Sequence, residues 1–338
     1  MRINRIVSDL GRSECRFVFG NNTYSFPAAV GSGKEFRMPD LEGGIDSLAI
    51  KYDQREYLIG ELALNEDRFN RQVRVRDKTS DPHARVQLAA GTAYILAEHN
   101  MNDWEGRAVV NYNIRDFSKN KAKFQQDLLR AYEVRITRGK HTGKTIRFKF
   151  TDVRVLPEGV GAMYSAVYDP NTLEIVRPDL AKDNVAVIDI GSQTCNIAYF
   201  KGLRFIEEFS GAWDLGMHVA EIEMLNFLND AYDYEPNIAE LKDIFEKKSI
   251  RIGDMTHLIA PEASEILRKH AGKIIDQISA LIPEADRKQV NHVLVSGGGS
   301  VLVPYLKPAF YTNDIQALHQ SRWANCFGQE IMAKMKDA

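Results

Sequence analysis

Apolar residues along this chain come in three recognisable arrangements, and each predicts a different element. Val185-Ala-Val-Ile-Asp-Ile-Gly191 is apolar at nearly every position, as expected of a central strand covered on both faces. His292-Val-Leu-Val-Ser296 reads the same way and runs directly into Gly297-Gly298-Gly299-Ser300. Residues 145–156 alternate strictly and predict a half-buried strand. Near the start, Ile3, Ile6 and Val7 lead into Asp9-Leu10-Gly11. Phe17-Val18-Phe19 and the pair Tyr24, Phe26 then flank Gly20-Asn21-Asn22, predicting a β-hairpin that opens a sheet. Residues 31–60 are Gly-rich and strand-like.

The third arrangement is helical. Ser80-Asp81-Pro82 predicts a helix start, a capping side chain followed by proline in the first turn. That helix carries Val86, Ala89, Ala90, Ala93, Tyr94 and Ala97 on a face that should be buried. Further helices are predicted over roughly 217–230, 238–248 and 261–282. Trp323, Phe327, Ile331 and Met335 stand four apart, a stripe that suits a docking helix or, less commonly, an amphipathic membrane anchor.

Composition narrows the class. At 338 residues, 44% hydrophobic and 27% charged, the chain is long enough for about two domains with cores that need no staple. Forty-four basic residues against 46 acidic give a net charge of −2. That excludes a generally basic nucleic-acid coat. Cys15, Cys195 and Cys326 are odd in number and far apart, offering neither a disulfide framework nor a CxxC metal site. No apolar run approaches ~18 residues and none near the start suits a signal peptide, so the expectation is a cytoplasmic protein.

One internal echo carries most of the chemistry. Asp9-Leu10-Gly11 and Asp189-Ile190-Gly191 each end an apolar strand, 180 positions apart, which suggests two related halves rather than a solenoid. The glycine lets backbone N–H groups approach and cradle phosphate oxygens. The aspartate tolerates those phosphates when a divalent cation or its water lies between, as Mg²⁺ commonly does. Two such turns would clamp a phosphate chain from both sides.

Asp9-Leu-Gly-Arg-Ser-Glu-Cys-Arg16 resembles the first phosphate motif of the actin/Hsp70/sugar-kinase superfamily. Asp189-Ile-Gly-Ser-Gln-Thr-Cys-Asn196 resembles the second, and Val295-Ser-Gly-Gly-Gly-Ser300 the adenosine motif. Within the superfamily the chain is most similar to plasmid-segregating actin homologues of the ParM/StbA type. Tyr57-Leu-Ile-Gly-Glu-Leu-Ala63, Val155-Leu-Pro-Glu-Gly-Val-Gly-Ala162 and Ala324-Asn-Cys-Phe-Gly328 carry that narrower resemblance.

The resemblance implies an α/β fold, actin-like (ribonuclease H-like) and duplicated, with a nucleotide cleft between the halves. Domain I is expected over 1–180, with a small subdomain about 31–80 and the helix 321–338 packing back onto it. Domain II is expected over 181–320, with a small subdomain about 220–290. Asp9 and Asp189 would face Mg²⁺, through water. Gly11, Arg12, Ser13, Arg16, Gly191, Ser192, Gln193, Thr194 and Asn196 would line the phosphates. Gly297, Gly298, Gly299 and Ser300 would take the adenosine, with Glu246 and Lys247 near the ribose or base. Glu158 would orient the attacking water, acting beside Asp9 and Asp189 as the catalytic set. Two positions depart from the family: Arg16 stands where lysine is common, and Asn196 where a second aspartate often follows the threonine.

The implied function is a filament-forming ATPase, with GTP the alternative, that assembles with itself into a polar filament. It would segregate DNA or a plasmid through a separate adaptor on a centromere-like site, without direct membrane contact. A small-molecule kinase of the same superfamily and a membrane-tethered actin-like scaffold are the rival readings. Other features read as structural. Arg138-Gly-Lys-His-Thr-Gly-Lys-Thr145 mimics a phosphate-binding P-loop, yet lacks the first glycine and precedes a strand, so a basic hairpin turn is predicted. Arg68, Arg71, Arg74 and Arg76 read as a solvated basic face, with a polymer contact or a nucleic-acid patch as the alternative. Cys15 and Cys195 read as small core residues, and the eight histidines show no ligand spacing.

Overall fold

The computed structural model describes residues 4–32, 44–66 and 82–337. The cluster at Arg68–Arg76 and the helix-start residues Ser80 and Asp81 lie outside them. Two compact units emerge: Met1–Ser165 with Pro170–Leu173 and Asn325–Ala338, and Ala166–Asp169 with Glu174–Ala324.

Among the described residues the first unit holds nine strands: β1 (Arg5–Leu10), β2 (Glu14–Phe19), β3 (Asn22–Pro27), β4 (Val30–Ser32), β5 (Ser47–Tyr52), β6 (Arg55–Gly60), β7 (Asp103–Tyr112), β8 (Ala131–Arg138) and β9 (Thr145–Pro157). They form one sheet in the order β3-β2-β1-β7-β9-β8-β5-β6-β4. β1, β7 and β9 are parallel, so their C-terminal ends share one edge. The helix Pro82–Glu98 is buried along almost its whole length. Gly91 within it makes room for the ring of Phe17, which any side chain there would strike. The Arg138–Thr145 segment is a hairpin connection between antiparallel β8 and β9, as the alternating strand after it predicts.

The second unit holds β10 (Asn184–Ile190), β11 (Cys195–Lys201), β12 (Arg204–Trp213), β13 (Ser249–Ile252), β14 (Met255–Leu258), β15 (His292–Gly297) and β16 (Ile315–Ala317). Its five-stranded sheet runs β12-β11-β10-β15-β16, with β13 and β14 a separate pair. Two antiparallel strands fold back from β10, while β15 and β16 lie parallel to it. The stretch β3-β2-β1-β7-β9 repeats this order and sense. The duplication suggested by the two Asp-x-Gly turns is therefore a duplication of topology. Helices His218–Tyr232, Ile238–Lys247 and Ala260–Leu281 fall where their periodicity predicts.

The C-terminal helix Ala324–Asp337 docks within the first unit, but not by the stripe read from its hydrophobic residues. Of that stripe only Ile331 is fully buried; Phe327 and Met335 are half-buried. The buried face also carries Asn325, Gln329 and Glu330. Arg5 pairs with Glu330 through two bonds of 2.7 and 2.8 Å, and Arg5 and Arg107 both reach Asp337. Charged anchors, invisible to hydrophobic patterning, select the face. Among the described residues no helix is long and apolar enough to cross a membrane.

Candidate functional site

Each unit presents an Asp-x-Gly turn at the C-terminal edge of its parallel strands, where open α/β sheets receive ligands. In the first unit β1 delivers Asp9, which is 6% exposed, and β2 returns after the turn with Arg16 directly opposite it. In the second, β10 delivers Asp189, 9% exposed, and β11 places Asn196 opposite it. Cys15 and Cys195 occupy equivalent core positions one pair further on, both fully buried. Burial pushes the Cys195 thiol well up, consistent with a small core residue and not a nucleophile.

Each aspartate is steadied by the neighbouring parallel strand. Asn111 at the end of β7 donates its side-chain amide to Asp9 Oδ1, and its Oδ1 accepts from the Leu10 N–H at 3.2 Å. On β15, Ser296 donates its hydroxyl to Asp189 Oδ1 at 2.6 Å. Asn111 and Ser296 were not singled out from sequence, although each ends an apolar strand beside an Asp-x-Gly strand. Arg16, expected to offer its charge to phosphate, bridges Asp9 at 3.2 Å and Glu14 at 2.6 Å. Burial alone would weaken that guanidinium's charge; the carboxylates of Asp9 and Glu14 outweigh it and raise its pKa.

The turns themselves are held by backbone. The Gly191 N–H donates to the Thr194 carbonyl at 2.9 Å, closing the second turn. Met217 and His218, at the start of a helix, donate to the carbonyls of Gly191 and Ser192 at 2.9 and 2.8 Å. Gly216 makes this approach possible, since a Cβ there would strike the Ser192 carbonyl; sequence reading passed it over. In the first turn a Cβ at Gly11 would press on the Glu14 carbonyl, and the Ser13 carbonyl accepts from the Ala28 N–H at 2.9 Å. Arg12, Ser13, Ser192, Gln193 and Thr194 remain at least partly accessible around the two turns.

The Gly297-Gly298-Gly299 turn packs against the end of β10. Gly297 has φ +80°, and side chains at Gly297 or Gly299 would collide with Ile190. Gly298 differs: it is exposed, and a Cβ there would meet nothing within 4 Å. Ser300, half-buried, begins the short helical segment that follows. Glu246 and Lys247 lie exposed on the helix Ile238–Lys247, in surface pairs with Lys242 and Asp243.

Glu158 immediately follows β9. Its N–H donates to the Tyr112 carbonyl at 2.9 Å, which places it on the same sheet edge as Asp9 and Asn111. The next residue, Gly159, has φ +84°, and the helix Val160–Val167 starts there.

A nucleotide with Mg²⁺ fits this chemistry. Among the described residues no group of three or more His, Cys, Asp or Glu could hold a metal alone. Mg²⁺ typically needs only one or two carboxylates when substrate phosphates complete its shell. Asp9 accepts one bond on each oxygen, and a carboxylate has about four lone-pair sites, so capacity remains for a metal-bound water.

Residues 8–161 match the family described as actin like proteins N terminal domain, and residues 187–307 match the archaeal actin homologue MreB-like C-terminal domain. Both halves of the chain thus match actin-homologue domain models, and the fold is actin-like. Its fold is similar to the archaeal actin homologue Ta0583 (15% identity, 99% of this chain and 100% of that one, TM-score 0.81), which has also been solved with ADP. It is similar, too, to ParM from a 15-stranded Clostridium botulinum filament (21%, 99% and 100%, TM-score 0.75). Bacillus thuringiensis ParM, solved with AMPPNP, matches at 16% identity over 99% and 100%, TM-score 0.73. No curated protein matches the chain in sequence.

Proposed function

We propose that this protein is a nucleotide-hydrolysing, filament-forming actin homologue that segregates DNA. The observation that carries the reading is the repeated arrangement of strand, Asp-x-Gly turn and returning strand, with a buried aspartate steadied by the adjacent parallel strand in both units. Polymerisation is supported by the ParM filament among the similar folds, and nucleotide binding by the ADP and AMPPNP complexes of others. The chain's near-neutral charge favours DNA attachment through a separate adaptor.

In this reading the N–H groups of each turn are phosphate-binding groups for ATP or GTP, with Arg12 and Ser13 in the first unit and Ser192, Gln193 and Thr194 in the second. Gly297-Gly298-Gly299 and Ser300 take the nucleoside. Asp9 and Asp189 are the carboxylates that would hold Mg²⁺ through water, and the metal would supply neutralisation of phosphate charge. Asn111 and Ser296 keep the two carboxylates oriented. Arg16 balances Asp9 and Glu14, limiting the negative charge that meets the phosphates. Glu158 aligns the attacking water and accepts its proton. Phosphoryl transfer asks mainly for such positioning and electrostatic stabilisation.

Glu158→Ala tests the assignment. Nucleotide should bind and filaments should form, while phosphate release slows by roughly 10²-fold, the scale of a positioned acid–base group. Filaments of that variant should persist after the wild type has disassembled. Unchanged hydrolysis would remove Glu158 from the mechanism.

A further inference from the structure

We propose that Asn325 is a positioning residue for hydrolysis, fixing from the C-terminal helix the backbone that presents Glu158. The inference rests on the hydrolase reading above and adds a residue that acts through Glu158.

A helix normally receives an acceptor for its first N–H groups from the side chain at its own N-cap. Gly159 occupies that position before the helix Val160–Val167 and has no side chain to offer. Asn325 supplies the acceptor from the far end of the sequence. Its Oδ1 accepts from the Gly159 N–H at 3.1 Å and the Ala162 N–H at 3.3 Å, both bonds buried. Two N–H donors converging on one atom require the amide oxygen there, which fixes the orientation of the side chain.

The surrounding contacts leave little slack. A Cβ on Gly161 would strike the Asn325 backbone, and one on Gly328 would strike the Gly161 carbonyl. The two glycines therefore let the helix starting at Val160 and the C-terminal helix touch backbone to backbone. Glu158 sits between two ties: its own N–H to Tyr112 on β7 and the following N–H to Asn325. With the backbone held on both sides, only side-chain rotation remains to aim the carboxylate. The contact joins two stretches far apart in sequence, Val155–Ala162 and Ala324–Gly328. Asn325 is, in addition, the residue at which the chain re-enters the first unit.

The test measures phosphate release from Mg-ATP and Mg-GTP, with AMPPNP affinity alongside. Asn325→Ala should lower kcat roughly 10- to 100-fold, as a displaced catalytic group does, with AMPPNP affinity within about threefold, since ground-state binding is untouched. Asn325→Asp keeps an acceptor and suits a helix N-terminus, so it should recover to within about fivefold of wild type. In a Glu158→Ala background, adding Asn325→Ala should change the rate by less than about twofold, because residues acting through one group are not additive. A full further loss in that background, or an Asp variant as slow as the Ala variant, overturns the proposal. Should Asn325→Ala fail to fold, Asn325→Ser, with a hydroxyl too short to reach both donors, should show an intermediate loss; a wild-type rate there overturns it equally. Wild-type Asn325→Ala rates beside a slow Glu158→Ala would refute the positioning role alone. No release from the wild-type protein would instead refute the hydrolase reading, and this inference with it.

Discussion

Replacing Gly298 with alanine should weaken nucleotide binding without weakening the fold, while the same change at Gly297 or Gly299 should weaken the fold itself. Gly297 adopts φ +80° and faces the Ile190 carbonyl. The left-handed conformation alone costs an L-residue about 1–2 kcal/mol, before any displacement of β10. At Gly299 a methyl is driven into the Ile190 side chain, an overpacking cost of about 1–3 kcal/mol. Gly298 is exposed, its φ is not positive, and a methyl meets nothing within 4 Å. Alanine there should leave stability unchanged or raise it by up to about 1 kcal/mol through the stiffer unfolded chain. If the nucleoside lies on this turn, the same methyl enters its space. A penalty of about 1–3 kcal/mol then becomes about 5- to 150-fold in Kd. Urea unfolding of the three variants, with titration of a fluorescent ATP analogue, separates the two effects. A Gly298→Ala variant that binds as tightly as wild type, or loses as much stability as Gly297→Ala, would refute the placement of the nucleoside.

Two titrating contacts predict stability trends of opposite sign. Burial alone would raise the Glu98 carboxyl, but hydrogen bonds from Lys140, His141 and Tyr94 outweigh it and hold it at about 2. A depressed carboxyl stabilises the fold above its unfolded value, so that contribution should fade as pH falls from about 4.5 towards 2; the urea midpoint of Glu98→Gln should lack this slope. Burial alone would lower His292, whereas bonds to Asp314 and Asp183, the latter at 3.0 Å, raise it above its ordinary 6.5. A raised imidazole stabilises below pH 6.5 and loses that contribution as pH rises through its folded value. The wild-type advantage over His292→Gln should therefore shrink as pH rises above 6.5.

Sequence carried the two Asp-x-Gly turns because strand endings are local. An apolar run closing on Asp-x-Gly shows both the strand and the place where it stops, and Asp9 and Asp189 did so twice at matching positions. The alternation of residues 145–156 likewise settled the Arg138–Thr145 segment as a hairpin despite its P-loop appearance. What sequence left hidden depends on partners distant along the chain. Asn111 and Ser296 matter because a parallel neighbour sets them beside an aspartate, and Gly216 because the next helix must approach Ser192. Asn325 serves a helix that begins more than 160 residues earlier. The C-terminal helix shows the same gap in another form: its docking face was misread because ion pairs to Arg5 and Arg107 help bury it, and hydrophobic spacing does not register them. The extension of the first sheet from β8 to β5 joins two hairpins by a non-local pairing that no period reveals.

Right-angle light scattering of the purified wild-type protein, with phosphate release followed in the same sample, tests the central claim most directly. Mg-ATP or Mg-GTP should raise scattering, the rise should precede phosphate release, and the signal should decay as nucleotide is consumed. Flat scattering with either nucleotide, or a rise that never decays while phosphate accumulates, would contradict a filament whose lifetime is set by hydrolysis.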